Sequence, residues 1–266
     1  MFRKKLSLGI LCASLSLLAS CATGNVADKH DQNDPFESFN RAMFKFNDTL
    51  DKYVLVPVAK GYRAITTQDI RDRVNSAFDN LSEPVSAANQ ILQGEFKQSA
   101  VSLGRFVVNS TLGLAGTFDV ATGWGWKGRK DNFDRTLASW CVDDGPYLVI
   151  PFVGPSTPRA AVGSVADMFM SPLFWYTEQY EDGDYAYLGY AAAKVVAFRE
   201  KSMTLTDDLE RNSVDYYTTM RSAYMQNRSQ LPRCGGKENV ASDTAAYDFD
   251  FGIEEEDEIF DAMNDE

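Results

Sequence analysis

Between Asp34 and Leu50 the chain dictates its own secondary structure. Asp34-Pro35-Phe36-Glu37 reads as a helix start: Asp34 can cap, Pro35 suits the first helical position and Glu37 completes a capping box. Phe36, Phe39, Met43, Phe46 and Leu50 then recur at steps of three and four, the period of a helix with one apolar stripe. Arg41, Lys45 and Asp48 lie opposite. Such a stripe faces either a protein core or lipid, and the spacing alone leaves both open. The same pattern predicts helices over Asp69–Phe78, Val85–Leu92, Glu95–Asn109, Asn132–Trp140 and Arg159–Met170, and a long helical region over Asp184–Met225. In Glu95–Asn109 the apolar face is Phe96, Ala100, Leu103 and Val107. Pro57 is expected to end the first region, and Ser82-Glu83-Pro84 to separate two short helices. Tyr147–Val153, set among prolines, reads as an extended apolar loop. Little period-two alternation is sustained and no repeat is evident, so the expected fold class is all-α.

The two ends differ from this body. Arg3, Lys4 and Lys5 precede an apolar run, Leu6–Leu18, that is too short to span a bilayer and reads as a secretory signal. Leu18-Ala19-Ser20-Cys21 resembles the lipobox of bacterial lipoproteins. Residues 1–20 are then an expected signal peptide, and Cys21 the lipid-attachment residue at the head of a tether over 21–33. Ala22, where Asp would signal retention, implies the outer membrane by the enterobacterial sorting rule. No later apolar stretch reaches the roughly 20 residues a span needs. Membrane attachment therefore rests on the lipid, with amphipathic helices at the interface.

The full chain carries net −12. Without the three leader cations it is −15, and Lys237–Glu266 alone contributes twelve acids and one base. The body from 34 to 232 is thus nearly neutral, and 233–266 is an acidic tail expected to be disordered. This balance argues against nucleic acid and against docking on anionic lipid. Tyr247, Phe249, Phe251 and Ile253 before Glu254–Glu258 suit an arm that docks a basic partner; simple solvation explains the tail equally well. Of the four cysteines, Cys141 and Cys234 remain for the mature body, as a bridge or as two thiols.

The one histidine, His30, lies in the tether, which removes Ser-His-Asp and Cys-His catalysis and multi-histidine metal sites. No Gly-x-Ser-x-Gly or Ser-x-x-Lys occurs, and Asp143-Asp144 and Asp207-Asp208 read as solvated pairs. Gly123-Trp124-Gly125-Trp126-Lys127-Gly128 matches a dinucleotide fingerprint but lacks the strand before it and the helix after it. Two tryptophans between glycines suit a membrane-interface loop instead. No enzyme activity, cofactor or metal is expected.

Asp34-Pro35-Phe36-Glu37-Ser38-Phe39-Asn40-Arg41 with Phe44-x-Phe46-Asn47 resembles the opening signature of the VacJ/MlaA lipoproteins. Asn80-Leu81-Ser82-Glu83-Pro84, Leu92-Gln93-Gly94 and Arg105–Gly113 continue the match. Asp119-Val120-Ala121, Thr136-Leu137, Gly145–Pro151 and Arg159 complete it in order. Glycine is usual in that family where Asp134 and Cys141 stand, and an acid where Ala160 stands. The resemblance implies a ring-shaped bundle of amphipathic helices with a glycine-rich helical hairpin, lying in the inner leaflet of the outer membrane and facing the periplasm. It implies an amphipathic channel that takes mislocalised phospholipid from the outer leaflet to a periplasmic carrier of the MlaC type. It also implies a trimeric porin partner of the OmpC/OmpF type. The glycine-rich segment offers Gly113, Gly116, Phe118 and Asp119 as channel or gate residues, although close helix packing accounts for the glycines as well. A structural envelope lipoprotein, or porin-associated assembly factor without transport, is the alternative.

Overall fold

The computed structural model describes residues 34–180, 183–229 and 231. The leader, the tether with Cys21, and the tail with Cys234 lie outside them. Helix α1 spans Glu37–Leu50, and at its start the Phe36 N–H donates to Asp34 Oδ1 at 3.1 Å. Pro57 does not end this region. A π turn, Asp51–Leu55, leads directly into α2, Val56–Ile65, and the Val56 N–H reaches back to the Asp51 carbonyl. Pro57 falls in the first turn of α2, where its missing N–H costs little.

Thr67 caps α3, which runs unbroken over Gln68–Leu92 with Pro84 inside it, correcting the expected separation into two helices. Tertiary bonds bracket the proline. Asn80 Nδ2 donates to Ser110 Oγ at 2.8 Å, and Arg105 Nε donates to Glu83 at 2.7 Å. Ser110 and Arg105 lie on α4, Phe96–Thr111, which runs antiparallel to α3 as the other arm of a helical hairpin. Short helices α5 (Val120–Gly123) and α6 (Phe133–Ser139) follow. Tyr147–Val153 is not a plain loop. Its β1, Leu148–Ile150, pairs antiparallel with β2, Gly154–Ser156, placing Leu148 opposite Ser156. Then come α7 (Pro158–Met170), capped by Thr157, and α8 (Pro172–Thr177). The expected long region resolves into α9 (Gly183–Lys201), α10 (Met203–Asn212) and α11 (Tyr216–Ser229). Apart from one short hairpin the regular structure is helical, and the fold is all-α.

Helix α1 holds the hairpin with amide side chains. Asn40 donates to the Tyr147 carbonyl at 3.1 Å and accepts from the Val149 N–H at 2.8 Å. One heptad on, Asn47 donates to the Ile150 carbonyl at 2.9 Å and accepts from the Phe152 N–H at 2.8 Å. Two asparagines on one helical face thus do for β1 what a neighbouring strand would do. Behind them Phe44 meets Tyr216 and Tyr217 edge to face at 5.2 and 5.6 Å.

The packing is inverted relative to a water-soluble bundle. Among the described residues, buried polar and charged side chains outnumber buried hydrophobic ones 23 to 10, whereas 33 large hydrophobic residues are exposed. The stripes expected from the sequence are present but face outward. Phe36 just before α1, Phe39 and Phe46 on it, and Phe96, Leu103 and Val107 on α4 are all exposed. The inward face of α4 is Ser99, Ser102, Arg105 and Asn109. Replacing Asn40 with Leu leaves the Tyr147 carbonyl and the Val149 N–H without partners in a buried place. The expected loss of stability is about 2–4 kcal/mol, read by denaturant unfolding in detergent; a loss within error would mean the hairpin is held otherwise.

Candidate functional site

The inward face of α3 carries Asn80, Glu83, Ala87 and Gln90, a helical row that is buried throughout. It meets Arg105 of α4, whose planar fork is fully engaged. Besides Glu83, the Arg105 guanidinium donates to Thr122 Oγ1 at 2.9 Å, the Trp126 carbonyl at 2.6 Å and Asp119 Oδ2 at 3.0 Å. Burial raises the pKa of the Glu83 carboxyl, and burial also opposes the charge on Arg105. The two acids outweigh that and keep Arg105 protonated. Asp119 is buried in part, but hydrogen bonds from Thr122, Asn109 and Arg105 hold its carboxyl below the usual range.

Asp119 closes the glycine-rich turn at the end of α4. Leu114, Ala115 and Gly116 occupy the left-handed region in succession, at φ +51°, +59° and +83°. Only glycine does so without cost. A Cβ on Gly116 would also lie 2.6 Å from Asn80 Nδ2, and one on Gly113 2.5 Å from the Asn109 carbonyl oxygen. The turn is fastened at its base. The Gly116 N–H donates to the Asn109 carbonyl at 2.8 Å, Asn109 Nδ2 to Asp119 Oδ1 at 2.9 Å, and the Ala121 N–H to Asn109 Oδ1 at 2.9 Å. Its tip is apolar and outward, with Leu112 and Leu114 about two-thirds exposed at 61% and 67%. Phe118 is exposed too, under the Arg73 guanidinium at 4.1 Å from the ring centroid. Gly113, Gly116, Phe118 and Asp119 therefore share one turn.

Two further polar clusters continue the interior. Asp134 accepts from Arg159 at 2.8 Å and from Arg228 of α11 at 2.9 Å, and Asp144 pairs with both arginines. Burial works against the Asp134 carboxylate, but Arg228 and Arg159 prevail and lower its pKa. Nearby Cys141 is disulfide-bonded and holds φ +66°. That left-handed angle fits glycine's being usual there; the expected partner, Cys234, is outside the described residues. Asn89 joins the clusters, donating to Asp167 at 2.9 Å and accepting from Thr136 at 2.8 Å. Asp167 also accepts from the Phe133 N–H at 2.9 Å, yet among the described residues no guanidinium pairs with it, and burial pushes its carboxyl up to about 6.

Gly123–Gly128 follows the single turn α5, without a preceding strand, so the dinucleotide context is absent there. Trp124 and Trp126 are exposed and meet edge to face at 6.0 Å. An open apolar concavity of about 460 Å³ lies along the outer stripe of α1, lined by Phe46, Tyr53 and Val54, away from the glycine turn's own residues. Among the described residues no group of three or more His, Cys, Asp or Glu side chains is placed to hold a metal ion. Sequence reasoning placed Arg105 in a family motif without giving it a role, and did not single out Arg73. The signal for Arg105 was present: it recurs with Ser102 and Asn109 on the face opposite an apolar stripe.

The MlaA lipoprotein family matches residues 32–231. The chain is 38% identical over 225 residues to the intermembrane phospholipid transport system lipoprotein MlaA of Haemophilus influenzae, covering 82% of this chain and 88% of that protein. It is 34% identical over 235 residues to the protein of the same name from Escherichia coli, covering 87% and 90%. It is also similar to a solved structure described as the structural basis for maintenance of bacterial outer membrane lipid asymmetry. That likeness has a TM-score of 0.65 at 32% identity, over 75% of this chain and 99% of the other.

Asp167 gives a pH signature. Its folded pKa lies above the unfolded value, so its contribution to stability is full below about pH 4 and lost as pH rises through about 6. Asp167→Asn keeps an oxygen for both donors and removes the charge. It is expected to raise stability at pH 7 by about 1–2 kcal/mol, discounted for partial exposure, and to flatten unfolding free energy between about pH 4 and 6. An unchanged pH profile would contradict this reading.

Proposed function

Since this chain belongs to the MlaA lipoprotein family, we propose that it works as an outer-membrane lipoprotein in intermembrane phospholipid transport. In this reading it withdraws mislocalised phospholipid from the outer leaflet and hands it, intact, to a periplasmic carrier of the MlaC type. A porin trimer of the OmpC/OmpF type supports it in the membrane. The observation that carries the reading is the inverted packing. A body with charged side chains inside and Phe, Leu, Val and Trp outside suits a lipid environment, where exposed apolar surface has no cost. No described helix is long and apolar enough to cross a membrane, so the lipid on Cys21 and the outward stripes provide the attachment.

A phospholipid head group crosses hydrocarbon only at high cost. A polar path with apolar flanks lowers that cost, and the glycine turn joins both kinds of surface: Asp119 and Asn109 at its base, Leu112, Leu114 and Phe118 at its tip. Gly113, Gly116, Phe118 and Asp119 form the constriction that lipid passes. Because the turn is fastened at its base, it acts as a fixed lip. The structural-lipoprotein alternative requires no lipid movement.

Cells lacking the protein are expected to accumulate phospholipid in the outer leaflet, measured by outer-leaflet lipid labelling, and the wild-type chain to restore asymmetry. Unchanged leaflet composition would favour the structural alternative, and cleaved lipid an enzyme. In the same assay Cys21→Ser fails to restore asymmetry although the body folds; full activity of the unanchored chain removes the anchor from the mechanism. Gly116→Val, strained by about 1–3 kcal/mol at a left-handed position, also fails at normal protein level; normal asymmetry there removes the turn from the path.

A further inference from the structure

Arg73 differs in its surroundings from the arginines of the interior. Arg71, Arg105, Arg129, Arg135, Arg159, Arg199 and Arg228 each have a carboxylate partner within 4 Å. Arg73 is exposed, and among the described residues no salt bridge reaches it. Its recorded contact is aromatic, with the guanidinium carbon 4.1 Å from the centroid of Phe118. Two nearby acids are engaged elsewhere, and exposed Asp69, one helical turn before Arg73, forms no salt bridge with it among the described residues. Asp119 is bonded to Arg105, Asn109 and Thr122, and Asp72 accepts from Gln68 at 2.9 Å.

A guanidinium held over a ring and joined to no carboxylate keeps N–H donors available, and the cation–π contact restrains the planar fork. Such an edge fits two oxygens of a phosphate. Apolar surface adjoins it: Phe118 below, Leu112 and Leu114 on the same turn, and exposed Ile70 three residues before Arg73 on α3. A cation on the border of an exposed apolar patch meets the two halves of an amphiphile at once. We propose that Arg73, laid on Phe118, binds the phosphate diester of a glycerophospholipid whose acyl chains lie against this turn. The inference rests on the transport reading above and adds to it the residue that recognises the head group.

The test uses the purified, lipidated full chain in dodecyl maltoside. Binding of dimyristoylphosphatidylglycerol is compared with dimyristoylglycerol, which has the same chains and no phosphate, by native mass spectrometry. Wild type is expected to prefer the phospholipid by about tenfold, the range of a charge-assisted pair. Arg73→Gln brings the two lipids to near parity while dimyristoylglycerol binding and the melting temperature stay unchanged, and Arg73→Lys restores part of the preference. Retained preference in Arg73→Gln overturns the proposal, as does equal loss of both lipids. Displacement of the phospholipid by an equal concentration of inorganic phosphate marks a free-anion site and overturns it too. A wild-type chain that binds neither lipid sinks the transport reading, and the site with it.

Discussion

A charge withdrawn from water has to be matched inside the protein, and Arg105 is where this fold meets that requirement. One guanidinium ties together α3 through Glu83, α5 through Thr122 and Asp119, and the tryptophan loop through the Trp126 carbonyl. Removing one partner of such a buried pair strands the other, at about 3–5 kcal/mol. The glycine turn depends on the same contacts, because Asp119 is both the acceptor for Arg105 and the cap of α5. The Arg105 cluster and the turn are therefore one unit.

In the membrane placement proposed above, this arrangement follows from the solvent. In water a bundle is held by apolar surface withdrawn from it, and polar groups go outside. Against hydrocarbon that force vanishes, and helices associate through packing, hydrogen bonds and paired charges. The Asn40–Asn47 ladder, the Arg105 fork and the Asp134–Arg159–Arg228 cluster are bonds of that kind, and they join segments far apart in the chain. Asn40, Asn47, Arg105 and Arg159 of these bonds also lie in the motifs that carry the family resemblance.

How much of this was legible in the sequence follows from what periodicity can encode. The stripes on α1 and α4 were placed correctly, because a period of 3.6 residues identifies a helix and its apolar face. Their outward direction was not legible, since the pattern is the same whichever side meets the solvent. Pro57 and Pro84 were misread as stops. Local rules forbid an interior proline, and only the π turn and the bonds to Ser110 and from Arg105 show why these two are tolerated. The hairpin was hidden because its strands are three residues each and lean on side-chain amides of a helix. The glycine turn was marked by composition, but Arg73 over Phe118 joins elements 45 residues apart and has no local signal.

The π turn has a geometric consequence for everything after it. Asn40 and Ala59 are both fully buried, and they stand 19 positions apart. An uninterrupted α-helix turns about 100° per residue, so those two positions would point about 100° apart. The wide turn at Asp51–Leu55 absorbs one extra residue and brings them back into phase. One rod therefore presents a single inward edge, first to the hairpin through Asn40 and Asn47, then to Arg199 of α9 through Asp51, and to Glu200 through Arg63. The π turn is the phase corrector of the rod, and the fit of its second half is set by residue count as much as by residue type.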